Sequence, residues 1–415
     1  MIYSIKKSRI EGRVNISGAK NSYLRLLAAS ILTDEEVQLQ NAPTEILDGK
    51  VHIEMLKKLG KSVDNSSDNQ VLIKEDINLE TILDWNDRSI RNTLLILGAL
   101  TARFGHGRVP LPGGCRLGER KYDLHVYLLK QFGAKVIDDG EFLEASSKQG
   151  LIGTDIRLPI RSTGATENSI LCGSLAKGKT TVWNPHIRPE IVDLINMLNK
   201  MGAKIQVFGQ ERIEIQGVKH LKGCTHTVIP DNLEALTWLI GSVITNGDLQ
   251  INNFPFEHLD IPLIFLKESG AKFYRNGKSV IVRGGTAYPL EISTGPYPGI
   301  NSDMQPILAV YGSMANGETK IIDLRFPGRY QYAEELEKMG LKYRVKDNLL
   351  IIDGGHSFKG ADVSALDLRA GAALALTALV ADGTTRIHNA EQIERGYNNF
   401  VSKFKLLGGN IEVEA

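Results

Sequence analysis

Cysteine is scarce in this chain: three in 415 residues, Cys115, Cys172 and Cys224, an odd number with no CxxC spacing. That argues against a disulfide framework and a cysteine-rich zinc site, and it fits a reducing compartment. The nine histidines form no HxxxH or HxH pair, so a metal centre has no support either. Charge of one sign is also lacking. The 49 Lys and Arg against 48 Asp and Glu leave a net charge of +1, which speaks against nucleic acid or an acidic membrane surface as a partner and leaves only local cation clusters. The apolar runs, such as residues 94–102 and 370–381, stop at 9 to 12 residues, below the roughly 20 that cross a bilayer. The start Met1-Ile2-Tyr3-Ser4-Ile5-Lys6-Lys7 has no signal-peptide core. The expectation is a soluble, cytoplasmic protein without a metal site.

What is present is a repeat. A short phrase recurs at Leu59-Gly60-Lys61, Phe132-Gly133-Ala134-Lys135, Met201-Gly202-Ala203-Lys204, Ser269-Gly270-Ala271-Lys272, Met339-Gly340-Leu341-Lys342 and Leu407-Gly408-Gly409-Asn410, in steps of 68 to 73 residues. Self-similarity at a fixed period decides the architecture before any local reading does. Each unit also carries an apolar helical run that ends in a small turn and passes into a strand. The turns lie at Thr33-Asp34, Gly105, Gly178, Gly247, Gly317 and Gly383, where a left-handed glycine suits a helix C-terminus. Residues 94–102 and 370–381 carry no charge and no one-sided stripe, so these helices are expected to be buried on all sides. A single core stops growing near 250–300 residues, so the six units should divide into two sets of three.

The most reactive segment is Pro112-Gly113-Gly114-Cys115-Arg116-Leu117-Gly118-Glu119-Arg120. A thiol in a Gly-rich turn beside two arginines favours its thiolate, although an isolated cysteine is more often an ordinary loop residue. Cys172, inside Ser169-Ile170-Leu171-Cys172-Gly173, reads as a packing residue.

The loop Pro112 to Cys115 with Gly118, Arg120 and Asp123-Leu124-His125 resembles the active-site loop of the UDP-N-acetylglucosamine enolpyruvyl transferase family of bacterial cell-wall synthesis. The resemblance extends through Ser17-Gly18-Ala19-Lys20-Asn21, Ser162-Thr163-Gly164-Ala165-Thr166-Glu167-Asn168, Pro189-Glu190-Ile191-Val192-Asp193, Ser302-Asp303-Met304-Gln305, Asp367-Leu368-Arg369-Ala370 and Glu394-Arg395-Gly396-Tyr397, in the family's order. Several separated motifs in order are far more specific than one. The resemblance implies a two-domain, inside-out α/β barrel of six βαβαββ repeats, three per domain, with buried helices and outer sheets. It places residues 21–229 in the first domain and 1–20 with 230–415 in the second, joined by a double-crossover hinge near 20 and 230.

The resemblance also implies the reaction and its residues, with no metal or organic cofactor. Phosphoenolpyruvate and a uridine nucleotide sugar are both anions. Lys20, Arg91, Arg120, Arg369 and Arg395 would bind phosphoenolpyruvate, arginine by a planar fork and lysine as a point charge. Asn21, Arg91, Arg120, Asp123, Leu124, His125, Ser162, Thr163, Gly164, Asp303, Arg325 and Arg329 would hold the nucleotide sugar. For Ser162 and Thr163 a plain helix-capping role stands beside that reading. Cys115, Asp303, Asp367, Lys20 and Arg395 would form the catalytic set, with Asp303 as general base at the sugar 3-hydroxyl and Cys115 able to add to phosphoenolpyruvate. Closure of the two domains would complete the set, and the protein is expected to be a monomer that binds small molecules. Lys121, Asn232, Gly299-Ile300-Asn301-Ser302 and Pro327-Gly328-Arg329 depart from the family's usual residues around the acceptor. Such changes are what a relative acting on another uridine nucleotide, such as UMP, would carry. A silent binding relative would instead show damage at the catalytic positions, and none is seen.

Overall fold

The computed structural model of the chain describes residues 1–65, 67–88, 90–112, 122–285 and 287–414. They form two compact units, one of Gly18–Ile229 and one of Met1–Ser17 with Pro230–Ala415. Gly18, Ala19 and Lys20 thus lie with residues 21–229, on the other side of the boundary from the sequence expectation. Ala19 N–H donates to the Ile229 carbonyl at 2.7 Å, whereas Asp231 N–H donates to the Ser17 carbonyl at 2.9 Å. Each unit has its own apolar core. No helix among the described residues is long and apolar enough to cross a membrane.

The repeat is seen most completely in residues 155–216. Strand Asp155–Arg157, helix Thr163–Leu175, strand Lys179–Trp183, helix Pro189–Lys200 and the hairpin Lys204–Phe208 with Arg212–Gln216 give the order βαβαββ. Its four strands make one small mixed sheet, parallel only between Asp155–Arg157 and Lys179–Trp183. Six such sheets occur, five of four strands and one of three among the described residues. Two repeats borrow their parallel edge strand from far along the chain: Cys224–Thr227 pairs with Val37–Gln40, and Glu11–Asn15 pairs with Asp248–Asn252.

The two helices of a repeat differ because their sequences differ. Every residue of Leu368–Ala378 is buried, and so is Thr93 through Thr101; Arg369 apart, neither stretch carries a charge, and helices apolar on all sides are buried. The second helices, such as Gln331–Lys338, bury one face and show charges on the other. They end at the glycines of the repeated phrase. Gly60, Gly133, Gly202, Gly270, Gly340 and Gly408 all have φ between +85° and +110°, a conformation L side chains resist. Gly247 departs from its expected role. Asn246 takes the left-handed turn, with φ +53°, and Gly247 is required because a Cβ there would collide with the Ile10 carbonyl oxygen.

The three central helices of the Gly18–Ile229 unit, Lys20–Ala29, Thr93–Phe104 and Thr163–Leu175, run parallel. Asn92 Nδ2 donates to the Leu24 carbonyl at 2.9 Å near one end, and Arg103 Nη1 donates to the Ile31 carbonyl at 2.9 Å near the other. Arg25 Nε meets Glu167 Oε1 at 2.6 Å. Three helix N-termini therefore share one end of this unit.

Candidate functional site

At that shared end none of the three helices has an acidic residue in its first turn. A helix N-terminus carries about half a positive charge and open N–H groups, a setting that favours anions. Lys20 is the first residue of its helix and is 7% exposed, with Nζ 2.7 Å from Asp48 Oδ2. Asn21 follows it, half-buried. Half-buried Arg91 precedes Asn92, the residue before the second helix.

Ser162 caps the third helix, its Oγ accepting from Ala165 N–H at 3.4 Å, and Thr163 Oγ1 lies 2.8 Å from His186 Nδ1. The capping alternative for Ser162 is therefore realised. Asp123 is exposed at the start of helix Asp123–Gln131, Leu124 is half-buried, and His125 is buried. Asn168 Nδ2 donates to His125 Nδ1 at 3.1 Å, which leaves the ring proton on Nε2. That nitrogen would stand 2.9 Å from a Cβ at position 164, so Gly164 is what admits the ring. Burial, with Arg91 as a smaller cause, lowers the His125 pKa to about 3 and keeps the ring neutral. Cys115 and Arg120 lie outside the described residues.

The unit of Met1–Ser17 and Pro230–Ala415 has the opposite chemistry at the starts of its central helices. Asp231 caps Asn232–Ile244 by accepting from Leu233 and Glu234 N–H at 2.8 and 2.9 Å. Asp367 caps Leu368–Ala378 through Arg369 and Ala370 N–H at 2.6 and 2.9 Å. Asp303 lies in the short turn Ser302–Met304 that leads into helix Gln305–Ser313.

Four of the residues singled out in the sequence meet here. Arg329 Nη1 is 2.9 Å from Asp303 Oδ1, Arg329 Nη2 is 3.6 Å from Asp367 Oδ2, and Arg369 Nε is 3.9 Å from Asp303 Oδ2. Burial works against the Arg329 charge, but Asp303, Asp367 and Asp323 outweigh it and raise its pKa. Arg369 is 1% exposed and its guanidinium lies 5.2 Å from the Tyr397 ring centre. Its Nε and Nη1 have no hydrogen-bond partner among the described residues, although buried donors normally have one.

Arg325 is exposed against Phe326, its guanidinium 5.6 Å from the ring centre. Arg395, half-buried at the end of helix Glu391–Glu394, donates through Nη1 to Gln392 Oε1 at 3.2 Å. Two residues that belong to the geometry were not singled out in the sequence: Asp48, the partner of Lys20, and Asp323, beneath Ser302. Their only sequence signal is an acidic residue amid apolar neighbours. Cys172 is wholly buried, and burial raises its thiol pKa.

The profile of the family described as EPSP synthase (3-phosphoshikimate 1-carboxyvinyltransferase) matches residues 5–404. A UDP-N-acetylglucosamine 1-carboxyvinyltransferase of Prochlorococcus marinus is 40% identical over 411 residues, 98% of this chain and 90% of that protein. One of Carboxydothermus hydrogenoformans, designated 2, is 41% identical over 409 residues, 98% of this chain and 97% of that protein. Among solved structures, the enolpyruvyl transferase NikO from Streptomyces tendae superposes with TM-score 0.89 at 26% identity, covering 99% of this chain and 98% of that one. EPSP synthase from Acinetobacter baumannii gives TM-score 0.77 at 19% identity over the whole of both chains, a likeness of fold alone.

Proposed function

This chain belongs to the enolpyruvyl transferase family, and we propose that it transfers the enolpyruvyl group of phosphoenolpyruvate to the 3-hydroxyl of UDP-N-acetylglucosamine and releases phosphate. The observation that carries this reading is the joining of Asp303, Arg329, Asp367 and Arg369 into one charged cluster. Relatives at about 40% identity over nearly the whole chain support the acceptor. In cells this would be the committed step into peptidoglycan.

The chemistry needs one proton removed and one supplied. In the proposed reaction Asp303 takes the proton of the sugar 3-hydroxyl while the oxygen adds to C2 of phosphoenolpyruvate, and a proton reaches the methylene carbon. Phosphate then leaves the tetrahedral intermediate as the new methyl group loses a proton and the double bond re-forms. An ionised carboxylate with one oxygen held by Arg329 and part of its surface open is suited to accept that proton, provided the hydroxyl comes within hydrogen-bond reach. Asp367 and Cys115 share the proton traffic in this reading, and Cys115 can add to phosphoenolpyruvate.

Lys20, Arg91, Arg120, Arg369 and Arg395 are assigned to phosphoenolpyruvate. The Nε and Nη1 of buried Arg369, without a hydrogen-bond partner among the described residues, are donors of the kind a carboxylate or phosphate takes up. Asn21, Arg91, Arg120, Asp123, Leu124, His125, Ser162, Thr163, Gly164, Asp303, Arg325 and Arg329 are assigned to the nucleotide sugar. The acid-free helix starts at Lys20 and Thr163 support an anion there.

A second reading, transfer to another uridine nucleotide such as UMP, draws on the departures at Gly299 to Ser302 and Pro327-Gly328 and on the likeness to NikO. Mass analysis of the nucleotide after incubation with phosphoenolpyruvate tests both readings. UDP-N-acetylglucosamine gaining an enolpyruvyl ether supports the first; an unchanged nucleotide sugar beside modified UMP supports the second.

A further inference from the structure

Asp323 follows strand Glu318–Ile322 and is 0% exposed, yet it is among the most heavily hydrogen-bonded side chains of its unit. Its Oδ1 accepts from Thr294 Oγ1 at 2.8 Å and from the Arg325 and Phe326 N–H groups at 2.9 and 2.8 Å. Its Oδ2 accepts from Gln305 Nε2 at 2.7 Å and, in a short bond, from Ser302 Oγ. Five donors saturate a carboxylate. With the Ser302 hydrogen committed to Asp323, the Ser302 oxygen is an acceptor, and Arg329 Nη1 donates to it at 3.1 Å. The same nitrogen donates to Asp303 Oδ1.

The donors come from three places. Ser302 and Gln305 open the helix beside Asp303, Thr294 follows strand Glu291–Ser293, and Arg325 and Phe326 form the turn leading to Arg329. The Asp323 N–H also donates to Tyr330 Oη at 2.9 Å, and Tyr330 Oη donates to the Asn348 carbonyl at 2.7 Å. One buried carboxylate therefore sets both segments that carry the Arg329–Asp303 pair. We propose that Asp323 is a positioning residue for this reaction, acting through Ser302 and the Arg325–Phe326 turn to hold Arg329 against Asp303. The kinetic importance of that pair rests on the proposed function; the geometric claim does not.

The test uses Asp323→Asn, Ser302→Ala and the double variant of the whole chain. An asparagine would turn an NH2 toward groups that are themselves donors. With phosphoenolpyruvate and the acceptor that the unaltered protein uses, each single variant is expected to lower kcat by about tenfold or more while KM for phosphoenolpyruvate stays within about twofold. The double variant should lose little more than Asp323→Asn, because both changes cut one path. A lowered melting temperature with unchanged kcat, or losses that multiply in the double variant, would overturn the proposal. If Asp323→Asn does not fold, an unchanged kcat in Ser302→Ala overturns it alone. Crystal structures of the folded variants should show Arg329 and Asp303 beyond hydrogen-bond distance in Asp323→Asn; a preserved pair overturns the proposal whatever the acceptor. Absence of turnover by the unaltered protein would sink the reading of function, with the crystal structures still deciding the positioning role.

Discussion

Arg329 holds Asp303 at 2.9 Å with one nitrogen and faces Asp367 at 3.6 Å with the other, while only 6% of its side chain meets solvent. Asp303 keeps 29% exposure and Asp367 keeps 7%. The guanidinium is thus a buried clamp on one shielded carboxylate and one open one, and stability and catalysis should separate when the two partners are changed in turn. Arg329→Ala strands Asp367 without its counter-charge and should cost about 3 kcal/mol in denaturant unfolding. Asp303→Asn leaves the clamp on Asp367, so unfolding should move by less than about 1 kcal/mol while kcat falls on the order of 10²-fold or more. Equal loss of stability in both variants would contradict this division.

His52 is wholly buried, and neither ring nitrogen has a hydrogen-bond partner among the described residues. Burial, with nearby Arg25 as the smaller cause, lowers its pKa to about 3. Its folded pKa lies below the unfolded value of about 6.5, so the protonation-linked contribution to stability is complete above about pH 6.5. That contribution falls away as the pH drops toward about 3, because the unfolded chain takes up the proton first. His52→Leu should be as stable as the unaltered protein at pH 7, or more so by about 1 kcal/mol, since buried unpaired nitrogens are removed. Between pH 6 and 4 it should lose about 1.4 kcal/mol per pH unit less than the unaltered protein. Parallel stability curves in urea would show that His52 does not titrate on unfolding.

Arg395 is assigned to phosphoenolpyruvate and not to the nucleotide. Arg395→Ala should therefore abolish use of phosphoenolpyruvate while calorimetry still records nucleotide-sugar binding within about threefold of the unaltered affinity. Equal loss of both affinities would remove that assignment.

Cys115, by its resemblance to the family's loop thiol, should be alkylated by the epoxide fosfomycin in the presence of saturating nucleotide sugar. Intact-mass and peptide analysis should place one adduct on Cys115, and Cys115→Ser should take none. An unmodified Cys115, or an adduct on half-buried Cys224, would contradict the expected reactivity.

The repeat was legible because it is local chemistry written six times: a helix end, a left-handed glycine and a strand. Gly60 and its five counterparts have the φ that their place in the phrase predicts. Uniformly apolar runs were likewise readable as buried, because no face of residues 370–378 could meet water without loss. Gly247 was misread, since its need is set by the Ile10 carbonyl far away in sequence. The pairing of Glu11–Asn15 with Asp248–Asn252 was hidden for the same reason. Motifs pointed to Asp303, Asp367, Arg369 and Arg329, but their supports did not announce themselves. Asp48 beside Lys20 and Asp323 beneath Ser302 matter through tertiary distance, which no spacing in the chain encodes.

The most direct test of the central claim is phosphate release from phosphoenolpyruvate with UDP-N-acetylglucosamine, UDP-glucose, UMP and shikimate 3-phosphate offered separately. Turnover confined to UDP-N-acetylglucosamine is the predicted result. Turnover with UMP alone would contradict the acceptor and shift attention to the residues around Arg329 and Asp303, and silence with all four would contradict the enzymatic reading itself.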